Sequence, residues 1–191
     1  MSGIIKKYSI KIPNNLTVLY SEKKQLISVI GPLETKSKKL ELKVKLLKNE
    51  KIIYVTSKTF KKLSNAEKKT IKALKGTTVA LIKQLIIETY SIIYKKLKFV
   101  GVGYRVIYTN NVVDKLLLLK LGFSHFVYFK VPTRLKVFCL KNTKVFLYGN
   151  SCQTVTQIAS KLQACKAPEP YKGKGILFYN ETIKLKEGKK T

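Results

Sequence analysis

The chain has 191 residues, room for one large or two small domains, and carries 39 Lys+Arg against 10 Asp+Glu, a formal net charge of +29. With 45% hydrophobic residues it is too apolar for a disordered basic tail, so it folds and leaves a strongly positive surface for a polyanion to neutralise. Nucleic acid is the leading partner and an anionic membrane the second.

Short strands come first. Ile10 and Ile12 alternate with Ser9 and Lys11, and Leu16, Val18 and Tyr20 alternate again after Pro13-Asn14-Asn15. Leu26 to Ile30 is closed by Gly31-Pro32, and Leu40, Leu42, Val44 and Leu46 follow with the period of a half-buried strand. Asn49-Glu50 turns that strand into Ile52 to Thr56, a hairpin. Residues 36–75 hold 14 Lys and 3 Glu, which fits either a solvated face or an RNA patch. Gly76-Thr77-Thr78 predicts a helix from about Val79 to Tyr94, with threonine as its N-cap and positions 79, 82, 86, 90 and 93 facing inward.

The second half returns to strands: Leu97 to Tyr108, a turn at Thr109-Asn110-Asn111, Val112 to Leu121, and Phe126 to Val131. Leu135 to Leu140 and Lys144 to Tyr148 flank Lys141-Asn142-Thr143 as a hairpin. A second helix is predicted from about Gln153 to Cys165, with Val155, Ile158, Ala159 and Leu162 as its apolar stripe and Pro168 just beyond it. The halves echo each other. Ile12-Pro13-Asn14-Asn15-Leu16-Thr17-Val18 is matched by Val131-Pro132-Thr133-Arg134-Leu135-Lys136-Val137, each followed by a glycine that closes an apolar strand, Gly31 and Gly149. The expected fold is α+β: two tandem related domains, residues 1–94 and 95–191, each a mostly antiparallel β-sheet packed with one main helix.

The most informative segment is Pro168-Glu169-Pro170-Tyr171-Lys172-Gly173-Lys174-Gly175-Ile176, which reads as an RNA contact or an ordinary tight turn. Two prolines and two glycines exclude a helix interior. The glycines permit positive φ and close approach of a surface, the lysines supply charge, and exposed amides suit phosphate oxygens. Tyr171 either stacks on a base or ribose or pins the loop to its own domain.

This nine-residue run resembles the signature of large-subunit ribosomal protein six, bacterial type. Val100-Gly101-Val102-Gly103-Tyr104-Arg105 and Leu121-Gly122-Phe123-Ser124-His125 resemble that family's other landmarks. Gly76-Thr77-Thr78, Ile12-Pro13, Gly31-Pro32 and Lys186-Glu187-Gly188-Lys189-Lys190 fall in family order. The resemblance implies a structural, non-enzymatic protein of the large ribosomal subunit. It implies rRNA binding mainly through the second domain, near the sarcin–ricin loop and the base of the factor-recruiting stalk. The residues assigned to rRNA are Tyr171, Lys172, Gly173, Lys174, Gly175, Lys161, Lys166, Lys189 and Lys190. Expected partners are large-subunit rRNA and neighbouring large-subunit proteins, with no cofactor, metal, membrane insertion or homo-oligomer. The chain departs from the family pattern at Cys152 for lysine, Thr156 for glycine, Gln163 for arginine and Phe126 for proline.

Lys, Ile, Asn, Tyr and Phe total 83 residues, and Gly, Ala, Arg and Pro only 23; the basic residues are 37 Lys and 2 Arg. RNA recognition alone does not favour that ratio, since Arg is the better bidentate phosphate ligand. AT-rich coding accounts for it, and together with the departures it suggests a mitochondrial ribosome, with a plastid one as the alternative.

Other chemistry has little support. No carboxylate pair is visible for an enzyme acting on nucleic acid, and no basic amphipathic helix for a peripheral membrane protein. Gly101-x-Gly103 lacks the third glycine of a dinucleotide site and reads as strand glycines. His125 reads as structural, hydrogen-bonding a nearby loop. Cys139, Cys152 and Cys165 are expected to be reduced and partly buried, neither a zinc set nor a disulfide framework. Arg105 suits RNA contact or an internal ion pair equally.

Overall fold

The computed structural model describes residues 8–47, 49–60, 70–110 and 115–188. The predicted strand start at Val112 and the tail residues Lys189 and Lys190 lie outside them. The chain forms two compact units, Met1–Ser91 and Ile92–Thr191, and among the described residues each is α+β with two antiparallel sheets and one helix.

In the first unit β1 (Ser9–Lys11), β6 (Ile52–Thr59) and β5 (Leu42–Leu47) make one sheet in that order. β2 (Thr17–Ser21), β3 (Leu26–Ile30) and β4 (Thr35–Lys39) make the other. Alternation works as expected: Ile27 and Val29 of β3, and Leu42 and Val44 of β5, enter a core with Ile53, Val55 and the helix residues Val79, Ile82, Leu85 and Ile86. β4, Thr-Lys-Ser-Lys-Lys, has no apolar signal. It exists because β3 offers a free edge of amides and carbonyls, and its lysines protect the new edge from further pairing.

The helix α1 (Ile71–Tyr90) begins eight residues before the predicted Val79, at Ile71, and stops before the predicted Tyr94. Gly76-Thr77-Thr78 therefore lies inside it and does not cap it. Both threonine hydroxyls donate to the Leu74 carbonyl, at 3.0 Å from Thr77 and 2.6 Å from Thr78, the back-bonding open to Thr within a helix. Tyr90 is exposed, and Ile93 belongs to the next strand. A Cβ on Gly76 would meet nothing within 4 Å. Gly76→Ala is accordingly expected to stabilise the protein by about 0.5–1 kcal/mol; a denaturant midpoint at or below wild type would contradict this.

In the second unit β8 (Arg105–Asn110), β9 (Lys115–Lys120) and β10 (Val127–Lys130) form a meander. β11 (Lys136–Lys141), β12 (Lys144–Gly149), β7 (Ile93–Val100) and β13 (Gly175–Phe178) form a four-stranded sheet in that order. The predicted strand from Leu97 to Tyr108 is broken at Gly101–Tyr104, where glycines at φ 157° and 72° turn the chain. β13 was legible only as the end of the signature loop; pairing with β7 makes it a strand. The helix α2 (Cys152–Cys165) buries Val155, Ile158, Ala159 and Leu162, as its stripe predicts. That stripe packs in a core with Leu97, Phe99, Val145, Leu147 and the meander's Leu117 and Leu119.

The sequence echo is a repeated packing device. Leu16 N–H donates to the Pro13 carbonyl at 3.2 Å, and Leu135 N–H donates to that of Pro132 at 3.0 Å. Each leucine then lies against the closing glycine: a Cβ on Gly31 would sit 2.7 Å from Leu16 Cδ2, and one on Gly149 2.7 Å from Leu135 Cδ2. A hairpin joins the proline turn to the glycine in both units, β2–β3 and β11–β12. After the glycine the order diverges: α2 follows at once in the second unit, but β4 to β6 precede α1 in the first.

Candidate nucleic-acid interface

The signature loop is closed by its own backbone. Glu169 N–H donates to the Lys174 carbonyl and Gly173 N–H to that of Glu169, both at 2.9 Å. Ile176 N–H reaches back 2.9 Å to the Lys166 carbonyl, fastening β13 to the end of α2. Gly173 takes φ 67° and Gly175 φ 151°, both in the region that side chains avoid. Their surroundings differ. A Cβ on Gly175 would lie 2.5 Å from Pro168 Cα and 2.9 Å from the Ala167 carbonyl oxygen, whereas one on Gly173 would meet only Leu185 Cδ2, at 3.3 Å. Gly175 is thus needed for closure against the loop's own proline, and it is buried. It does not offer backbone to an approaching surface. Amides at 169, 173 and 176 are likewise spent on the protein's own carbonyls.

Several side chains here are basic and accessible. Tyr171 and Lys172 are exposed at the tip, and Lys174 is half-buried. Lys161 is exposed on α2, and Lys166 is half-buried where that helix ends. Lys186 N–H donates to the Pro170 carbonyl at 2.9 Å, which lays the C-terminal segment along the loop. The ion pairs of the described residues join Lys36 to Glu34 and Glu88, and Lys43 to Glu22, all in the first unit. None of them engages Lys161, Lys166, Lys172 or Lys174.

The other two landmark segments meet near this loop. The Tyr104 ring lies against both Gly101 and Gly122; Cβ atoms there would be 2.8 and 3.1 Å from it. Phe123 follows Gly122, is 38% exposed, and carries the Lys166 ammonium 4.3 Å above its ring centroid, a cation–π contact. His125 is exposed and stacks on the same ring at 5.6 Å and 11°; the described contact is a ring stack, where a hydrogen bond to a nearby loop was expected. Segments 100–105, 121–125 and 166–176 therefore form one cluster. Phe123 and His125 belong with the basic loop, a grouping that their separation from Lys166 along the chain conceals.

The remaining candidates resolve simply. Arg105 is exposed and has no ion pair among the described residues. Gln163, at the position expected to be arginine, donates at 2.8 Å to Glu181, whose same oxygen accepts Phe178 N–H. None of the three cysteines is in a disulfide and all are partly buried, and burial pushes the Cys139 and Cys165 thiols up, which disfavours the nucleophilic thiolate. Among the described residues no helix is long and apolar enough to cross a membrane, and no cluster of three metal-ligating side chains occurs.

Comparison with known proteins agrees with the landmarks. The family model for Ribosomal protein L6 matches residues 100–178, the span that holds all three segments. Large ribosomal subunit protein uL6 of Mycoplasmoides gallisepticum is 38% identical over 182 residues, covering 94% of this chain and 92% of that protein. Large ribosomal subunit protein uL6m of Reclinomonas americana is 32% identical over 185 residues, 95% of each chain. The uL6 of Bordetella petrii is 34% identical over 187 residues, 97% of this chain and 98% of that protein. With relatives at this identity over nearly its whole length, the chain belongs to the ribosomal protein uL6 family, structural and non-catalytic proteins of the large ribosomal subunit.

Proposed function

We propose that the protein binds large-subunit rRNA through its second unit, near the sarcin–ricin loop and the base of the factor-recruiting stalk, and so supports translation. Neighbouring large-subunit proteins complete its surroundings. One observation carries the reading: a self-closed loop presents Tyr171, Lys172 and Lys174 beside Lys166 and Phe123, with no carboxylate paired to these lysines. A backbone closed by its own hydrogen bonds holds the charges at fixed spacing, which lowers the entropy lost on docking. Lys161 extends the basic surface, and Lys189 and Lys190 are proposed as rRNA contacts from the sequence alone. Gly173 and Gly175 shape it from within.

The test is binding of the full chain to an rRNA fragment containing the sarcin–ricin region. Lys172→Gln is expected to weaken binding and lower the salt slope by about 1 contact. Gly175→Val leaves the charge unchanged but cannot close against Pro168, and is expected to do more harm, with circular dichroism reporting that the rest still folds. If Gly175→Val binds like wild type, or Lys172→Gln leaves the slope intact, the loop is not the contact.

We further propose a mitochondrial ribosome as its place, supported by the Lys-rich, Arg-poor composition and the similarity to the Reclinomonas americana protein. A bacterial ribosome is the competing reading, favoured by the higher identity to the Mycoplasmoides gallisepticum protein. Co-sedimentation of the native protein with purified mitochondrial large subunits decides between them.

A further inference from the structure

From the four-stranded sheet of the second unit we infer a second RNA contact, a platform on which unpaired bases stack. The face in question is the one turned away from α2. Along β7, Leu97 and Phe99 enter the core with the α2 stripe, so Tyr94, Lys96 and Lys98 point the other way. The register places Tyr148 opposite Tyr94, Phe146 opposite Lys96 and Phe138 opposite Phe146. The rings touch: Tyr94 stacks on Phe146 at 5.1 Å and 23°, and Phe146 lies 5.8 Å from Tyr148. Lys96 Nζ sits 5.6–5.7 Å from the ring centroids of Tyr94, Phe146 and Tyr179. Tyr94, Phe138 and Tyr179 are each more than half exposed.

Burying large rings is what a sheet face ordinarily does, and here they are left in water. The same three strands, β7, β11 and β12, contain no Asp or Glu and six lysines, of which Lys95 has the α2-side parity, so the face complements a polyanion. A flat apolar partner would bury Lys96 without a counter-charge, which is costly. Duplex RNA offers phosphates but no open base face. Unpaired nucleotides offer both, since every base has a π-face for a ring and a phosphate for a lysine. Cation–π contacts already hold the Lys96 ammonium among the rings, so the site is organised before its ligand arrives.

The inference rests on the chain being an RNA binder, but it uses a surface other than the 168–176 loop. The probe is a fluorescein-labelled single-stranded oligouridine of about nine nucleotides, within the range of a single-strand binding module, with an RNA duplex of equal length for comparison. Fluorescence anisotropy reads both against the full chain. Tyr94→Leu, which keeps an apolar side chain but removes the ring, is expected to weaken single-strand binding about 5- to 100-fold and to spare duplex binding. Tyr94→Phe is expected to bind like wild type. Phe138→Leu, on the outermost strand, repeats the test should Tyr94→Leu fail to fold. Lys172→Gln, outside the platform, is expected to weaken duplex binding and to spare the oligouridine. If ring removal is silent, or weakens single strand and duplex equally, the platform is wrong. It is wrong too if the wild type shows no single-strand binding and the face instead docks a protein. If Lys172→Gln is silent on the rRNA fragment while Tyr94→Leu loses the oligouridine, the loop reading fails and the platform stands.

Discussion

Raising salt from about 50 to 200 mM is expected to weaken binding to a duplex-rich rRNA fragment by about 10³–10⁵-fold, the range for roughly 6–10 phosphate contacts. The physical source is counterion release: each lysine that neutralises a phosphate frees a condensed cation, and added salt opposes that release. Residues 92–191 hold 19 Lys+Arg against 4 Asp+Glu, so supply exceeds what internal pairing can absorb. The loop adds Lys172 and Lys174, the end of α2 adds Lys166, and its exposed face adds Lys161. Cation–π contacts leave the charge of Lys166 intact, because a ring polarises toward the ammonium without neutralising it. Filter binding across a salt series measures the slope. An affinity that stays flat over this range would remove electrostatics as the basis of binding.

In the first unit a large loss is expected from Lys36→Met. Lys36 Nζ lies 2.8 Å from Glu88 Oε2, and Gln84 Nε2 donates to Glu88 Oε1 at 2.8 Å. The Glu88 side chain is only 7% exposed, on a helix face otherwise packed with Leu85 and Thr89. Removing the lysine takes a cation from a buried carboxylate that keeps its Gln84 hydrogen bond, a change worth up to about 3–5 kcal/mol. For a unit of this size that corresponds to a fall in Tm of more than about 10 °C. The double variant Lys36→Met/Glu88→Leu removes both charges and is expected to recover most of the loss, because a packed apolar pair costs no desolvation of ions. Thermal unfolding of wild type, both single variants and the double variant closes the cycle. A single-variant loss below about 1 kcal/mol would show that water reaches the carboxylate.

Local signals made much of this molecule readable. Alternation located β3 and β5 because one face of each is buried and the other wet, and the 3.6-residue stripe located α2 for the same reason. The repeated Pro-to-Gly segments were visible as an echo because packing one leucine against a glycine demands fixed residue types at fixed spacing. Signals that depend on a partner strand or helix were not readable. β4 has no apolar face, and β13 looked like loop until β7 supplied its hydrogen bonds. Gly76-Thr77-Thr78 resembled a helix start because Thr and Gly favour caps; the helix runs on through them, with Leu74 packed against the core and Thr78 buried.

The sequence by itself determined that the chain folds, that it is polycationic, and that its 168–176 segment is a glycine-shaped basic turn. These follow from composition and from the few residues able to adopt φ 67° and 151°. Only the tertiary structure decided what those residues face. It gave Gly175 to Pro168, brought Phe123 and His125 under Lys166, and gathered Tyr94, Phe146 and Tyr179 around Lys96. The reason is range: backbone conformation and burial period are set within a few residues, whereas these groupings join positions tens of residues apart. Which strand lies beside which is settled by the packing of the whole core.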